Sequence, residues 1–414
     1  FGARAARVGA SLRPHEILSQ RLYAEVREQC APDDPNIAML ETAAAESGGE
    51  SPTVLAAAAA EAEAPAPLGP PPAGSLLTAQ FSVMHRMARM ADILVMTCAS
   101  AGNKGLLRGL GPFPFLVLDE AAQCAEPIPL VPLSLGCAAM AAVGDEKQLP
   151  ATILDRSAER RGLGCSFFER CIRDGIVGTS AGFVQLDEQR RMHPSIAQFP
   201  FGHFYDAGIS SAPETFSDRP PVPGFLWPSN GCQACFVDMG ADGDSSSSGV
   251  GRSIFNEAEA VLLVETLRCC LAAGVRAQDV AVITGYSAQQ SLLTRTVRRR
   301  LDSAAAAQVR VDTVDGFQGA ERELVLVSTV RSNWRGEVGF LRDRRRVNVL
   351  LTRARRGLIV FGDARTLENE TGTWRPWLEW AHVNGAVVPA ATLQEHLRRA
   401  SAPPGAGVAE QWRP

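Results

Sequence analysis

Read along the chain, apolar positions first fall into a regular pattern at Leu76. Leu77, Phe81, Met84 and Ala88 recur at helical spacing. Short apolar runs follow at 93–96, 115–118, 140–143, 183–186, 280–283, 324–327 and 358–361, each closing on polar residues or glycine. Helical stretches separate several of them. The clearest predicts a helix over 256–273, with Ala260, Val264, Leu267 and Leu271 on one face. Asn256 is its expected N-cap, and Gly274 lies just past its end. Buried apolar strands alternating with helices predict an α/β fold whose parallel sheet is covered on both faces. Ligands in such sheets sit past the carboxyl ends of the strands.

The remaining stretches read differently. Residues 1–30 carry a short helical pattern over 14–28. Residues 31–75 include an alanine run at 56–60 and three prolines at 70–72, the composition of a low-complexity linker or disordered insertion. Residues 211–250 read as a loop joining two sheet domains, and the end of the chain as a helix followed by a disordered tail. The expected division is a remnant of a first domain at 1–30, the insertion at 31–75, a first sheet domain at 76–180, a second at 181–390 and a tail at 391–414.

Composition narrows the class. A chain of 414 residues suits two domains, and 46% hydrophobic content can bury sizeable cores. The net charge of −4 gives no global pull toward nucleic acid. Locally, 15 arginines stand against 7 acidic residues and no lysine between Arg295 and Arg356. That stretch is either a phosphate-contacting surface or a solvated charged face. Ten cysteines without a secretory signal read as reduced thiols of an intracellular protein, cytoplasmic or nuclear. Cys232 and Cys235 form one CxxC with no second pair at zinc spacing. No apolar run is long enough to cross a membrane. The chain opens on Phe1 and not on Met, which reads as a fragment or as the product of a truncated gene.

The candidate chemistry gathers at strand ends. The run ending at Leu118 delivers adjacent carboxylates, Asp119 and Glu120. In a phosphate-binding motor the first holds Mg²⁺ and the second polarises the attacking water. A second strand end leads through Gly144 to Gln148, whose amide can donate to a phosphate and accept from a water. Arg190 and Arg191, after Gln189, can bind an anion bidentately; His193, before Pro194, reads as structural. Thr313, Gln318, Gly319 and Glu321 supply polar contacts and close backbone approach. Arg353 and Arg355 follow a helical segment. An arginine brought to a γ-phosphate stabilises transition-state charge. Each feature alone is common; their order is not.

Taken together these motifs resemble motifs II to VI of superfamily 1 helicases, most closely the up-frameshift type acting in nonsense-mediated RNA decay. The resemblance runs from about Arg7 to Trp380, interrupted by 31–75. It implies two RecA-like parallel-sheet domains, the first truncated at its N-terminus, with nucleotide bound in the cleft between them. It assigns Asp119 as magnesium holder, Glu120 as general base and Gln148 as γ-phosphate sensor. Arg191 becomes a γ-phosphate arginine and Arg353 the arginine finger. Gln189, Arg190, Gly319 and Glu321 fall at nucleotide-contacting positions; Thr97, Thr284, Tyr286, Thr313 and Gln318 fall at strand-contacting ones. It implies ATP and Mg²⁺, single-stranded RNA or DNA, 5′-to-3′ travel and RNA-processing protein partners. There are departures. Arg190 stands where the family usually has Tyr, and its plane could still stack on a base. Gly285 stands where Pro is usual. The family's G-x-x-x-x-G-K-[ST] loop is absent: the chain's two lysines, Lys104 and Lys147, do not follow the required glycines. A catalytically inactive nucleic-acid or partner-binding module is therefore the alternative expectation. A small-molecule kinase is disfavoured, since it needs no second sheet domain with these motifs.

Overall fold

The computed structural model describes residues 5–8, 76–103, 107, 109–175, 182–206, 208–228, 230–240, 245–246 and 253–400. The expected helix at 14–28, the insertion at 31–75 and the tail beyond 400 lie outside these residues. The chain forms two compact units. One comprises Phe1–Asp145 with Pro150–Ile176, and the other Glu146–Leu149 with Val177–Pro414.

In the first unit β1 (Ala5–Val8) pairs in parallel with β2 (Ile93–Met96), and β3 (Phe115–Leu118) with β4 (Ala139–Ala142). Helix α1 (Leu76–Met90) buries Val83, Met84, Met87 and Ala88. Met84 joins Ala101 and Leu107 in a small core that Leu94 and Met96 also pack against. Side chains alternate across a strand, so Ile93 and Val95 point the other way, and both are exposed. Phe115 and Val117 are 56% and 59% exposed. The expected cover on both faces is thus not met for these strands.

The second unit meets that expectation. Its sheet has six strands, all paired in parallel, in the order β11-β10-β12-β13-β7-β14. These are β7 (Ala234–Asp238), β10 (Val280–Thr284), β11 (Arg310–Thr313), β12 (Arg322–Ser328), β13 (Ala354–Gly362) and β14 (Val387–Pro389). Two short pairs complete the strands: β5 (Glu188–Gln189) with β6 (Ser210–Ser211), and β8 (Ser245–Ser246) with β9 (Ile254–Phe255). Register places Val282 beside Leu326 and Leu326 beside Ile359. The two-residue period divides the core cleanly. Val325, Val327, Val360 and Ile283 pack on one face against α2 (Pro194–Phe204), α5 (Arg344–Leu351) and α6 (Trp374–Val383). Leu324, Leu326, Ile359 and Val282 pack on the other against α3 (Glu257–Ala272), α4 (Ser287–Arg300) and α7 (Ala390–Ala400). In α3 the Asn256 side chain accepts from Glu259 N, and Gly274 takes the left-handed φ of +101° past the helix end.

Two expectations need correction. The run at 183–186 is not a strand: it has no ladder partner among the described residues, and Phe183, Val184 and Leu186 are exposed. An apolar run becomes a strand only where another edge accepts its backbone hydrogen bonds. Conversely, the supposed loop at 211–250 contains β7, whose Cys235, Phe236 and Val237 are fully buried. Its short run was masked by the prolines, glycines and serines around it.

Candidate functional site

In the first unit, β3 ends at Leu118 and the chain turns sharply. Glu120 sits at φ 50°, in the left-handed region, so the two adjacent carboxylates leave the strand in different directions. Asp119 Oδ1 accepts from Glu120 N at 3.0 Å, and Glu120 Oε2 accepts from Gln123 Nε2 at 2.7 Å. Both acids are exposed. The turn is braced from β4: Val143 N donates to Leu118 O, and Ala121 N to Val143 O, each at 2.8 Å. Gly144 is required here. A Cβ at that position would lie 2.9 Å from Ala122 N. Farther along, Arg170 grips Glu126 through Nε and Nη2 at 2.7–3.0 Å, and its guanidinium lowers the Glu126 carboxyl. After β2, Thr97 Oγ1 lies 2.8 Å from Ser100 Oγ and accepts from Ser100 N at 3.1 Å. Its hydroxyl shapes the turn as well as facing solvent.

The segment Glu146–Leu149 packs with the second unit. Leu149 enters the core, and Asn348 Nδ2 donates to Lys147 O at 3.0 Å and to Tyr205 Oη at 3.0 Å. Gln148 Oε1 accepts from Arg353 Nη2 at 3.1 Å. Arg353 is only 1% exposed. It is held by Val349 O at 3.1 Å and Thr352 Oγ1 at 3.0 Å, acceptors at the end of α5. A buried guanidinium needs such partners. Sequence reading placed Gln148 and Arg353 at separate motifs, and the fold joins them.

Arg191 belongs to a neighbouring ion network. Its Nε donates to Glu321 Oε2 at 2.5 Å and its Nη1 to Thr352 O at 3.1 Å. Arg355 approaches Glu321 at 3.6 Å and Glu323 at 3.3 Å. The Arg190 guanidinium pairs with Glu188 and with Glu214 (2.7 Å) at the surface. Gln189 is buried and wholly engaged. Its Oε1 accepts from Arg191 N and Met192 N, and its Nε2 donates to Met192 O and Ser211 Oγ. It therefore shapes the turn that presents Arg191. His193 caps α2, accepting from Ser195 N, and burial lowers its pKa.

At the carboxyl edge of the large sheet, Thr284 ends β10 and Thr313 ends β11. Thr284 Oγ1 and Gln318 Nε2 are buried without a hydrogen-bond partner. Thr313 Oγ1 accepts from Gly316 N at 3.2 Å, and Tyr286 Oη accepts from Phe340 N at 3.2 Å. Gly319 takes the left-handed φ of +71°. Several arginines of the basic stretch are consumed locally: Arg310 by Asp312, Arg346 by Asp343, Arg355 by Glu323.

Sequence reading missed a buried polar network under this edge. Glu259 Oε2 accepts from Ser328 Oγ at 2.5 Å and Val330 N at 2.9 Å. Gln289 bridges Asn256 and Ser328. Burial pushes the Glu259 carboxyl up to about 8. Val330 takes φ 70° while fully buried. Asn256 read only as a helix cap, and nothing in the local sequence marks the distant partners of Glu259. Cys232 and Cys235 are buried on and beside β7, and no cluster of three metal-binding side chains exists among the described residues. No helix of the described residues is long and apolar enough to cross a membrane.

Two AAA-domain family profiles match the chain, over residues 74–156 and 163–365. The chain is similar to the regulator of nonsense transcripts 1 homolog of Drosophila melanogaster, 33% identical over 288 residues, 69% of this chain and 24% of that protein. It is similar to ATP-dependent helicase NAM7 of Saccharomyces cerevisiae, 34% identical over 284 residues, 68% of this chain and 28% of that protein. The probable helicase MAGATAMA 3 of Arabidopsis thaliana is 33% identical over 316 residues, 75% of this chain and 37% of that protein. The chain thus spans about a quarter of the length of the first two relatives. Among solved structures, an arterivirus nonstructural protein 10 helicase with DNA aligns at TM-score 0.31 and 17% identity, covering 68% of this chain and 45% of that one.

Proposed function

Since the chain belongs to the superfamily 1 helicases of the up-frameshift type, we propose that it supplies the hydrolytic and strand-gripping groups of an ATP-driven nucleic-acid motor. The observation that carries the reading is the hydrogen bond from buried Arg353 to Gln148. It couples the arginine proposed to stabilise the transferred phosphoryl group to the amide proposed to sense it. Asp119 and Glu120 fit a hard cation, being adjacent, exposed carboxylates at a parallel strand's carboxyl end. Mg²⁺ keeps several waters and leans on few protein oxygens plus substrate phosphates, so one aspartate suffices. Bound there, it would neutralise phosphate charge. Asp119 would hold it, and Glu120 would orient and deprotonate the attacking water. Gln148 would donate to the γ-phosphate. Arg353 and Arg191 would oppose the charge that develops, Arg191 exchanging its contact with Glu321 for phosphate oxygens. Thr97, Thr284, Tyr286, Thr313 and Gln318 are proposed to touch a single strand of RNA or DNA, chiefly through its phosphates. Affinity should then fall steeply with salt. Assignment of the units as two RecA-like domains, 5′-to-3′ travel and RNA-processing partners belong to the same proposal.

A second reading has its own observation: the 414 residues hold no G-x-x-x-x-G-K-[ST]. Without the lysine and amide cradle the β- and γ-phosphates lose charge neutralisation and positioning. This polypeptide should therefore bind single-stranded oligonucleotide yet hydrolyse little ATP. ATPase assays with RNA and DNA test it. Turnover in the ordinary helicase range would overturn the inactive-module reading, and absence of any salt-dependent strand binding would count against both.

A further inference from the structure

We propose that Cys98 and Cys124 are a redox pair whose oxidation to a disulfide tethers the segment after β2 to the segment after β3. Their sulfurs lie 3.9 Å apart, across 26 positions of sequence. A disulfide bond is about 2.0 Å long, so closure requires a movement of about 2 Å, within the reach of side-chain rotation and a small loop shift. Both thiols are half-buried and belong to the first unit. Their placement gives the link a consequence. Cys98 directly follows Thr97, and Cys124 closes the turn Ala121–Gln123 that begins at Glu120.

With a peroxide as oxidant the chemistry balances. The Cys98 sulfur attacks the O–O bond; an S–O bond forms, the O–O bond breaks, and the departing oxygen takes up the thiol proton to leave as water. Cys98 is then a sulfenic acid. The Cys124 sulfur attacks the Cys98 sulfur. The S–S bond forms, the S–O bond breaks, and the Cys124 proton leaves with the hydroxyl as a second water. Two thiols lose two electrons and the peroxide gains them. Burial and the neighbouring Cys98 thiol push the Cys124 thiol up to about 11, so it is mostly protonated at neutral pH and its attack on the sulfenic sulfur is the slower of the two steps.

The link itself stands on geometry alone. Its effect on strand binding rests on the reading of Thr97 given under Proposed function. The test treats the 414-residue chain with hydrogen peroxide, blocks remaining thiols by alkylation and maps disulfide-linked peptides without reduction. The Cys98–Cys124 peptide pair should dominate and should vanish with dithiothreitol. The first unit's thermal midpoint should rise by about 5 °C. Affinity for a fluorescent oligouridine should change by about threefold or more and return on reduction. Cys124→Ser should bind as the reduced protein does and ignore peroxide. Free alkylation of both thiols after oxidation, or indiscriminate pairing with other cysteines, would overturn the proposal. A link that forms without altering affinity would overturn its functional half. Failure of the reduced protein to bind oligouridine would count against strand binding instead, with the link still judged by peptide mapping.

Discussion

The two units carry parallel strands of similar apolar character and very different surroundings. β12 and β13 lie inside a six-stranded sheet packed on both faces, with Leu326 and Ile359 fully buried. Among the described residues β3 pairs only with β4, and its Phe115 and Val117 stand open to solvent. Strand preference is therefore a local property, whereas burial depends on what the rest of the fold brings alongside. The acid turn rides on the open unit and Arg353 on the enclosed one. Local opening should cost less around Asp119 than around Arg353.

That contrast can be broken most sharply by truncating one side chain in each unit. Leu326→Ala should destabilise the second unit by about 2–5 kcal/mol, the range for a buried leucine. Val117→Ala should cost less than about 1 kcal/mol. Denaturant unfolding followed by a probe in each unit would read both, and equal costs would erase the distinction.

The enclosed unit should also carry a pH signature that the open one lacks. Burial raises the Glu259 carboxyl from its ordinary 4.5 to about 8 in the folded chain. Between those values the native state keeps a proton that the unfolded chain releases. The resulting stability is whole below about 4.5 and is lost progressively as pH rises toward 8. The slope amounts to several kcal/mol across that window. Glu259→Gln should flatten it; a stability profile with the wild-type slope would show that the carboxyl does not titrate as described.

The smallest effects separate neighbouring arginines. Arg191→Ala removes a 2.5 Å contact with Glu321 and a bond to Thr352 O, and should cost about 1 kcal/mol. Arg190→Ala removes surface pairs with Glu188 and Glu214 and should cost under about 0.5 kcal/mol. Equal losses in thermal midpoint would mean that the shielding around Arg191 has no energetic weight.

Much of this was legible in advance. Apolar runs at 280–283, 324–327 and 358–361 read as strands and became central ones because strands pair on both sides of each and helices cover both faces. The helix beginning after Asn256 was legible from its cap. The strand at Ala234–Asp238 was not, because its five residues sit in a stretch dominated by turn formers. The run at 183–186 misled, since an apolar run says nothing about whether a pairing edge exists. At the candidate site, motif order identified Gln148 and Arg353 as separate groups, while their hydrogen bond spans 205 positions and is visible only in the fold. Gln189 shows the opposite limit: the resemblance implied a nucleotide contact, and only the fold shows its three hydrogen bonds within its own turn and a fourth to Ser211 on β6.

Val330 extends the point to backbone shape. A branched residue in the left-handed region costs about 1–3 kcal/mol and persists only where its surroundings impose it. Here the Glu259 carboxyl oxygen accepts from the Val330 amide and the Asn256 amide reaches the Val330 carbonyl, from 71 and 74 positions away. The instructions for that bend are stored in another helix. Grafted alone onto a foreign scaffold, the segment after β12 would relax and forget its form.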